Sequence, residues 1–416
     1  MIYRTNPKNG DKISQLAFGC MRLPRSQEKT NELVKTAIDS GINYFDTAYI
    51  YPGSERALGT ALKATGLRNK IKIATKLPLF SCKTSESMEN LFNTQKNRLG
   101  VDSIDYYLLH MLCDMQTLER LRSIGLDDWV KRKKESGEIV NIGFSFHGER
   151  NNFSGLIDAF DWDFCMIQYN YCDENNQAGR HGLNYATEKG IPVMVMSPLR
   201  GGLLSHSLAK EAKDVFAKAS MGAIGQPGAD GRSGAIGGSG GIGVSGAIGR
   251  RSLSEWSLRW LWDQPEVLTV LSGMSDMKQL DENIAAASIA EVGCVSTGER
   301  KVYQHILEII KQSQEIPCTS CGYCLPCPYG VNIPDCFSIY NERGNFFETI
   351  KRYLMATGAV TAKQSYASLC VQCKVCEKSC PQKIEISTEL SKVARKIESF
   401  WFRPVFAIVR KFMGVR

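Results

Sequence analysis

The chain has 416 residues, 43% of them hydrophobic and 23% charged, with a formal net charge of +8. This is the composition of a globular protein with room for two or three domains, and no block of like charges marks a nucleic-acid-binding tail. Met1–Leu16 lacks the apolar core of a signal peptide and no apolar run approaches the ~18 residues of a membrane span, so a cytoplasmic protein without a transmembrane helix is expected.

Eight short apolar runs follow in order: Leu16–Cys20, Ile42–Phe45, Ile71–Thr75, Ile104–Leu109, Val140–Phe144, Phe164–Gln168, Pro192–Met196 and Val267–Leu271. Between them lie segments of helical period, among them Thr30–Ser40, Glu55–Thr65, Ser85–Leu99 and Leu118–Ser136. Buried strands alternating with helices predict a closed (β/α)₈ TIM barrel over residues 1–295; an open doubly wound sheet is the alternative, less suited to eight regular units. Residues 219–251 break the rhythm. They are rich in Gly, Ala, Ser and Ile, with GAIG starting at Gly222, Gly234 and Gly246. This reads as a low-complexity expansion, with a lid over the ligand end of the barrel as the functional alternative.

After the barrel, residues 296–315 read as a linking helix, Ser296–Ser313. Residues 316–390 form a cysteine-rich, mainly helical unit, and residues 391–416 a basic and aromatic tail. Eight of the 15 cysteines fall in two runs, Cys318-x2-Cys321-x2-Cys324-x2-Cys327-Pro and Cys370-x2-Cys373-x2-Cys376-x3-Cys380-Pro. Three thiolates spaced by three wrap one cubane, and in two-cluster ferredoxins the fourth cysteine of each run serves the other cluster. The assignment is Cys318, Cys321, Cys324 and Cys380 for one 4Fe–4S cluster, and Cys370, Cys373, Cys376 and Cys327 for the other. Zinc sites use pairs of CxxC rather than quadruplets ending in Cys-Pro. The segments Pro334–Arg343 and Asn345–Ala356 between the runs read as helices, so the unit resembles the helical ferredoxins of multi-subunit reductases. The scattered cysteines read as small buried hydrophobes.

Four titratable residues follow early strands, at the end where barrel enzymes place their chemistry: Asp46, Tyr51, Lys76 and His110. The surrounding sequence resembles the aldo-keto reductase family, in FDTAYIYPGSERALG (Phe45–Gly59), ATK (Ala74–Lys76), DYYLLH (Asp105–His110), GFS (Gly143–Ser145), IQYN (Ile167–Asn170), MSPLRGGLL (Met196–Leu204) and GMSDMKQLDEN (Gly273–Asn283). The resemblance implies a nicotinamide-dependent oxidoreductase that reduces a small-molecule carbonyl or quinone-like substrate. Tyr51 would donate the proton, Lys76 would lower its pKa, Asp46 would hold Lys76, and His110 would orient the substrate. Ser145, Gln168 and Asn170 would meet the nicotinamide. A loop with Ser197, Pro198, Leu199, Gly201 and Gly202 would cover the pyrophosphate, and Ser275, Lys278, Gln279, Glu282 and Asn283 would surround the adenosine end. Lys278 favours NADPH over NADH, because a 2′-phosphate calls for positive charge.

No GxGxxG element follows a strand, which excludes a Rossmann dehydrogenase. Nicotinamide gives two electrons as hydride and a 4Fe–4S cluster passes one at a time. A flavin would couple them, but no flavin motif is visible. The competing reading is therefore an electron-transfer module whose barrel mainly docks a cofactor or partner. Lys351, Arg352, Lys374, Lys378 and Lys383 suggest an acidic partner of ferredoxin or flavodoxin type. The tail is expected to pack back onto the protein rather than lie on a membrane surface, because Pro404 would interrupt an amphipathic helix.

Overall fold

The computed structural model describes residues 1–148, 150–175, 177–205, 208–222, 251–313, 315–341, 346–359 and 364–412. Most of the expected Gly-rich insertion, including its GAIG repeats beyond Gly222, lies outside the described residues.

Ten strands are described: β1 (Tyr3–Thr5), β2 (Lys12–Ser14), β3 (Leu16–Gly19), β4 (Tyr44–Asp46), β5 (Lys72–Pro78), β6 (Ile104–His110), β7 (Ile139–Phe146), β8 (Phe164–Gln168), β9 (Val193–Met196) and β10 (Val267–Gly273). All eight apolar runs form strands, and β3 to β10 close in sequence order into one parallel barrel, with β10 pairing β3. Parallel strands under a helical shell are buried on both faces, which is why they read as continuous apolar runs. Along β3, Ala17 joins the barrel interior with Tyr44, Ala74, Tyr106 and Phe164, while Leu16 and Phe18 pack outward against the helices. The β1–β2 hairpin has no apolar run to announce it. Its Ile13 joins the interior cluster, and Tyr106 donates 2.7 Å to Asp11 in the turn between the two strands.

The structure corrects several expected boundaries. Leu118–Ser136 is not one helix but two, Met115–Ser123 and Leu126–Glu135, separated at Gly125, whose φ of 90° belongs to the left-handed region. The helix expected to link the domains, Thr297–Ser313, is part of the barrel's outer layer. Tyr303 is buried against Trp256, Tyr171 and Phe216, and Arg300 pairs with Asp263 at 2.6 Å.

The second domain has its own core, running from Ile316 to Phe406 rather than ending near residue 390. Helices Ile333–Asn341, Phe346–Ala356 and Ile386–Ile397 supply most of it. The tail completes it with helix Phe402–Phe412, whose Phe402 and Phe406 are buried against Tyr353 and Tyr366. Pro404 does not interrupt this helix. It stands in the first turn, where its missing N–H costs no hydrogen bond. Among the described residues, no helix is long and apolar enough to cross a membrane.

Candidate active site and cluster-binding site

The C-terminal ends of β4, β5 and β6 bring Asp46, Lys76 and His110 together, because neighbouring parallel strands stagger their last residues around one rim. Lys76 Nζ donates to Asp46 Oδ2 at 2.5 Å and to the carbonyl of Thr47 at 2.8 Å, and both charged side chains are buried. Tyr51, from the loop after β4, lays its ring 5.2 Å from the ammonium and 6.1 Å from the His110 ring. The four residues predicted from the sequence are thus in one cluster.

Its electrostatics differ from expectation in one respect. Burial, reinforced by the Asp46 charge, pushes the Tyr51 phenol well above its usual range. Burial also drives His110 well below the ordinary histidine value, helped by the Lys76 charge, so its imidazole is neutral. Its Nε2 is buried and has no hydrogen-bond partner among the described residues. A neutral imidazole and a protonated phenol side by side can both hydrogen-bond to an incoming oxygen.

A second layer, not singled out in the sequence, holds this rim. Buried Glu55 accepts from Thr75 at 2.7 Å and Gln95 at 2.8 Å, and pairs with Arg98 at 3.0 Å. Gln95 also donates to the backbone carbonyl of Lys76 at 3.0 Å.

The expected cofactor residues divide into two sets. Ser145, Gln168 and Asn170 lie buried on β7, on β8 and just beyond β8. Ser145 accepts from the Met111 amide at 2.9 Å, and Gln168 and Asn170 both donate to Asp173, at 3.0 and 2.9 Å. Asp173 in turn lies 3.2 Å from buried Arg200, a pair the sequence reading missed. The loop Ser197, Pro198, Leu199, Gly201, Gly202 follows β9, with positive φ at Ser197, Arg200, Gly201 and Gly202. The other set surrounds the start of helix Met277–Ile289. Asp276 caps that helix by accepting from the Gln279 amide, Gln279 accepts from Ser275, Asn283 donates to Ser272, and the Lys278 side chain is exposed, 3.9 Å from Glu282. With Asp276 turned to its own helix, the Lys278 ammonium is the positive group presented there.

The eight cysteines of the two runs sort into the two expected quartets. Cys318, Cys321, Cys324 and Cys380 line a small apolar cavity walled by Ile333, Phe337, Pro381, Ile384 and Ile386. Cys327 lies close enough to Cys370 and Cys376 to act on them electrostatically, and Cys373 on Cys370. Among the described residues, no three His, Cys, Asp or Glu side chains converge tightly enough for a single ion. Four thiols around an apolar cavity, rather than around a point, fit an iron–sulfur cubane better than zinc. Of the remaining cysteines, Cys20, Cys82, Cys165 and Cys336 are buried, as expected of small hydrophobes, whereas Cys113, Cys172 and Cys294 are only half-buried.

The sequence reading missed two groups at the barrel mouth, His147 after β7 and Tyr323 from the first cysteine run. The Tyr323 hydroxyl and His147 Nε2 are 3.1 Å apart. Burial lowers the His147 pKa to about 3.

Comparison with known proteins agrees with this geometry. The model of the aldo/keto reductase family matches residues 15–292, and that of a 4Fe-4S dicluster domain matches residues 317–385. The chain is 23% identical over 308 residues to aldo-keto reductase yakc [NADP(+)] of Schizosaccharomyces pombe, covering 70% of this chain and 88% of that protein. It is 26% identical over 318 residues to L-galactose dehydrogenase of Arabidopsis thaliana, covering 73% and 93%. The holo form of an aldo-keto reductase from Bacillus halodurans superposes with a TM-score of 0.56 at 23% identity, over 74% of this chain and 96% of that one. An aldo-keto reductase from Klebsiella pneumoniae in complex with NADPH gives 0.55 at 19%, with the same coverage. The chain is therefore a member of the aldo/keto reductase family of oxidoreductases that carries a 4Fe–4S domain after its barrel.

Proposed function

We propose that this protein reduces a small-molecule carbonyl compound with NADPH at the barrel mouth, and that its C-terminal domain holds two 4Fe–4S clusters serving a separate one-electron partner. The observation that carries the first half is the convergence of Tyr51, the Asp46–Lys76 pair and His110 at one rim.

Bound NADPH would supply the hydride. The chain supplies everything else. As negative charge grows on the carbonyl oxygen, Tyr51 gives it a proton. A phenol raised by burial is held protonated, so it has a proton to give as charge builds on the oxygen. The Lys76 ammonium, fixed by Asp46 and Thr47, stabilises the phenolate left behind. Neutral His110 offers an N–H to the same oxygen and orients it. Gln168, Asn170 and Ser145 are buried polar groups suited to an amide such as the nicotinamide carboxamide. The exposed Lys278 suits a 2′-phosphate, in keeping with the NADP(+) and NADPH named for two relatives.

Two quartets of thiols support two clusters. The second run lies at the surface, with Cys373, Lys374, Lys378 and Lys383 exposed, which suits an acidic electron-transfer partner. The side chains of Lys351 and Arg352 fall outside the described residues.

Single-turnover reduction of an aldehyde by deuterated NADPH tests the reading. Deuterium should appear in the alcohol. Tyr51→Phe should slow this step ~100–10,000-fold, the worth of a positioned general acid, while NADPH binding stays nearly intact. Wild-type hydride transfer in the variant would contradict the role of Tyr51.

A further inference from the structure

Tyr323 stands between two of the cluster-run cysteines, Cys321 and Cys324, yet its side chain belongs to the other domain's site. Its hydroxyl is 3.1 Å from Nε2 of His147, and its side chain lies close enough to Tyr51 for each phenol to influence the other electrostatically. Its ring stands edge-on to the rings of His147 and His110, with centroids 4.8 and 6.3 Å away. The loop that carries it is pinned to the barrel on both sides. Arg22, just after β3, donates to the carbonyl of Ser320 at 3.5 Å. Gly201, after β9, lies so close to Thr319 that a Cβ there would fall 2.6 Å from its carbonyl oxygen. The first cysteine run is thus seated across the barrel mouth, and Tyr323 is the side chain it sends in.

Resting on the reading that Tyr51 protonates a carbonyl oxygen, we propose that Tyr323 is a specificity-determining residue of the carbonyl site. Its hydroxyl takes the place beside Tyr51 that a substrate oxygen must take, and its ring limits what the carbonyl can carry. A carbonyl oxygen and the Tyr323 hydroxyl compete for the same place beside the Tyr51 hydroxyl. The substrate gains only the difference between two hydrogen bonds, and binding is weaker than an open site would give. The edge-on stacking against two imidazoles holds the phenol in place, so it closes the mouth as a wall rather than as a mobile chain end. Small aliphatic aldehydes fit beside such a wall. A fused aromatic aldehyde must displace it.

The test uses the cluster-loaded full chain, with propanal and 1-naphthaldehyde as probes. Steady-state constants with NADPH are measured for wild type, Tyr323→Phe and Tyr323→Ala. Fluorescence titration of the NADP+-loaded enzyme gives each aldehyde's dissociation constant, and cluster absorbance reports that the second domain is intact. Tyr323→Ala should raise the preference for 1-naphthaldehyde over propanal by at least about tenfold, within the range that reshaping an apolar pocket produces. Tyr323→Phe keeps the wall and removes the competing hydroxyl. It should bind propanal more tightly, by about fivefold for one lost competing hydrogen bond, with the size preference unchanged. A size preference and a propanal affinity that stay within twofold of wild type in both variants would overturn the proposal. If Tyr323→Ala loses its clusters, the propanal affinity of Tyr323→Phe decides by itself. If no variant reduces either aldehyde but the dissociation constants shift as described, the proposal stands and the reductase reading fails.

Discussion

Lys76 and Asp46 show how much of this site depends on pairing. Both are buried, and among the described residues one oxygen of Asp46 has no hydrogen-bond partner. Lys76→Met would strand the carboxylate in a low dielectric, which typically costs about 3–5 kcal/mol. The variant should melt at lower temperature in circular dichroism as well as lose activity. The two mouth histidines make a separate prediction about pH. Folding lowers His147 to about 3, from the ~6.5 of an unfolded histidine, and lowers His110 as well. Between those values the unfolded chain binds more protons, so stability is complete above pH ~6.5 and falls as pH drops toward 3, by up to ~1.4 kcal/mol per unit for each group. Asp46, raised by burial, titrates in the opposite sense, but only across its own pKa range. His147→Gln should therefore flatten the fall in melting temperature between pH 6.5 and 5. An unchanged slope would mean that His147 is not buried as described. The four rim residues were legible in the sequence because each lies at or just beyond the C-terminal part of an apolar strand run. Tyr323 was not, because nothing local distinguishes an aromatic between two cysteines. Its place depends on packing against His147, 176 residues away.

At the scale of elements, strands were easier to read than helix boundaries. A strand buried on both faces writes itself as an apolar run, and all eight did so. The β1–β2 hairpin, three residues a strand with exposed Tyr3, Thr5 and Lys12, left no such mark. Helix limits turned on single residues: Gly125 splits one expected helix, and Pro404 opens a helix it was expected to break. The tail gives the clearest consequence. Phe402 is fully buried against Tyr353 and Tyr366, so Phe402→Ala should cost the second domain about 3–5 kcal/mol. Urea titration followed by cluster absorbance should show the loss, while the barrel's unfolding midpoint stays put. A coincident fall of both transitions would show that the two cores unfold as one unit.

On the proposed reading, the whole molecule sets two kinds of redox chemistry beside each other. The quartet with Cys318 lies in the domain whose loop reaches the barrel mouth, and the run with Cys373 faces solvent. The sequence announced both chemistries through the cysteine spacing and the family motifs, but not their adjacency, which arises from long-range packing. Tyr323 meets His147 at the barrel mouth, yet the proposed hydride transfer to a carbonyl needs only groups of the barrel, whereas the surface run would serve a one-electron partner. The two chemistries should therefore be separable in time. The most direct test is to add NADPH and then an aldehyde to the anaerobically purified, cluster-loaded protein, following nicotinamide and cluster absorbance together with alcohol formed. The account predicts that nicotinamide is oxidised in step with alcohol while the cluster absorbance holds steady. Clusters bleached by NADPH, with no alcohol formed, would contradict it.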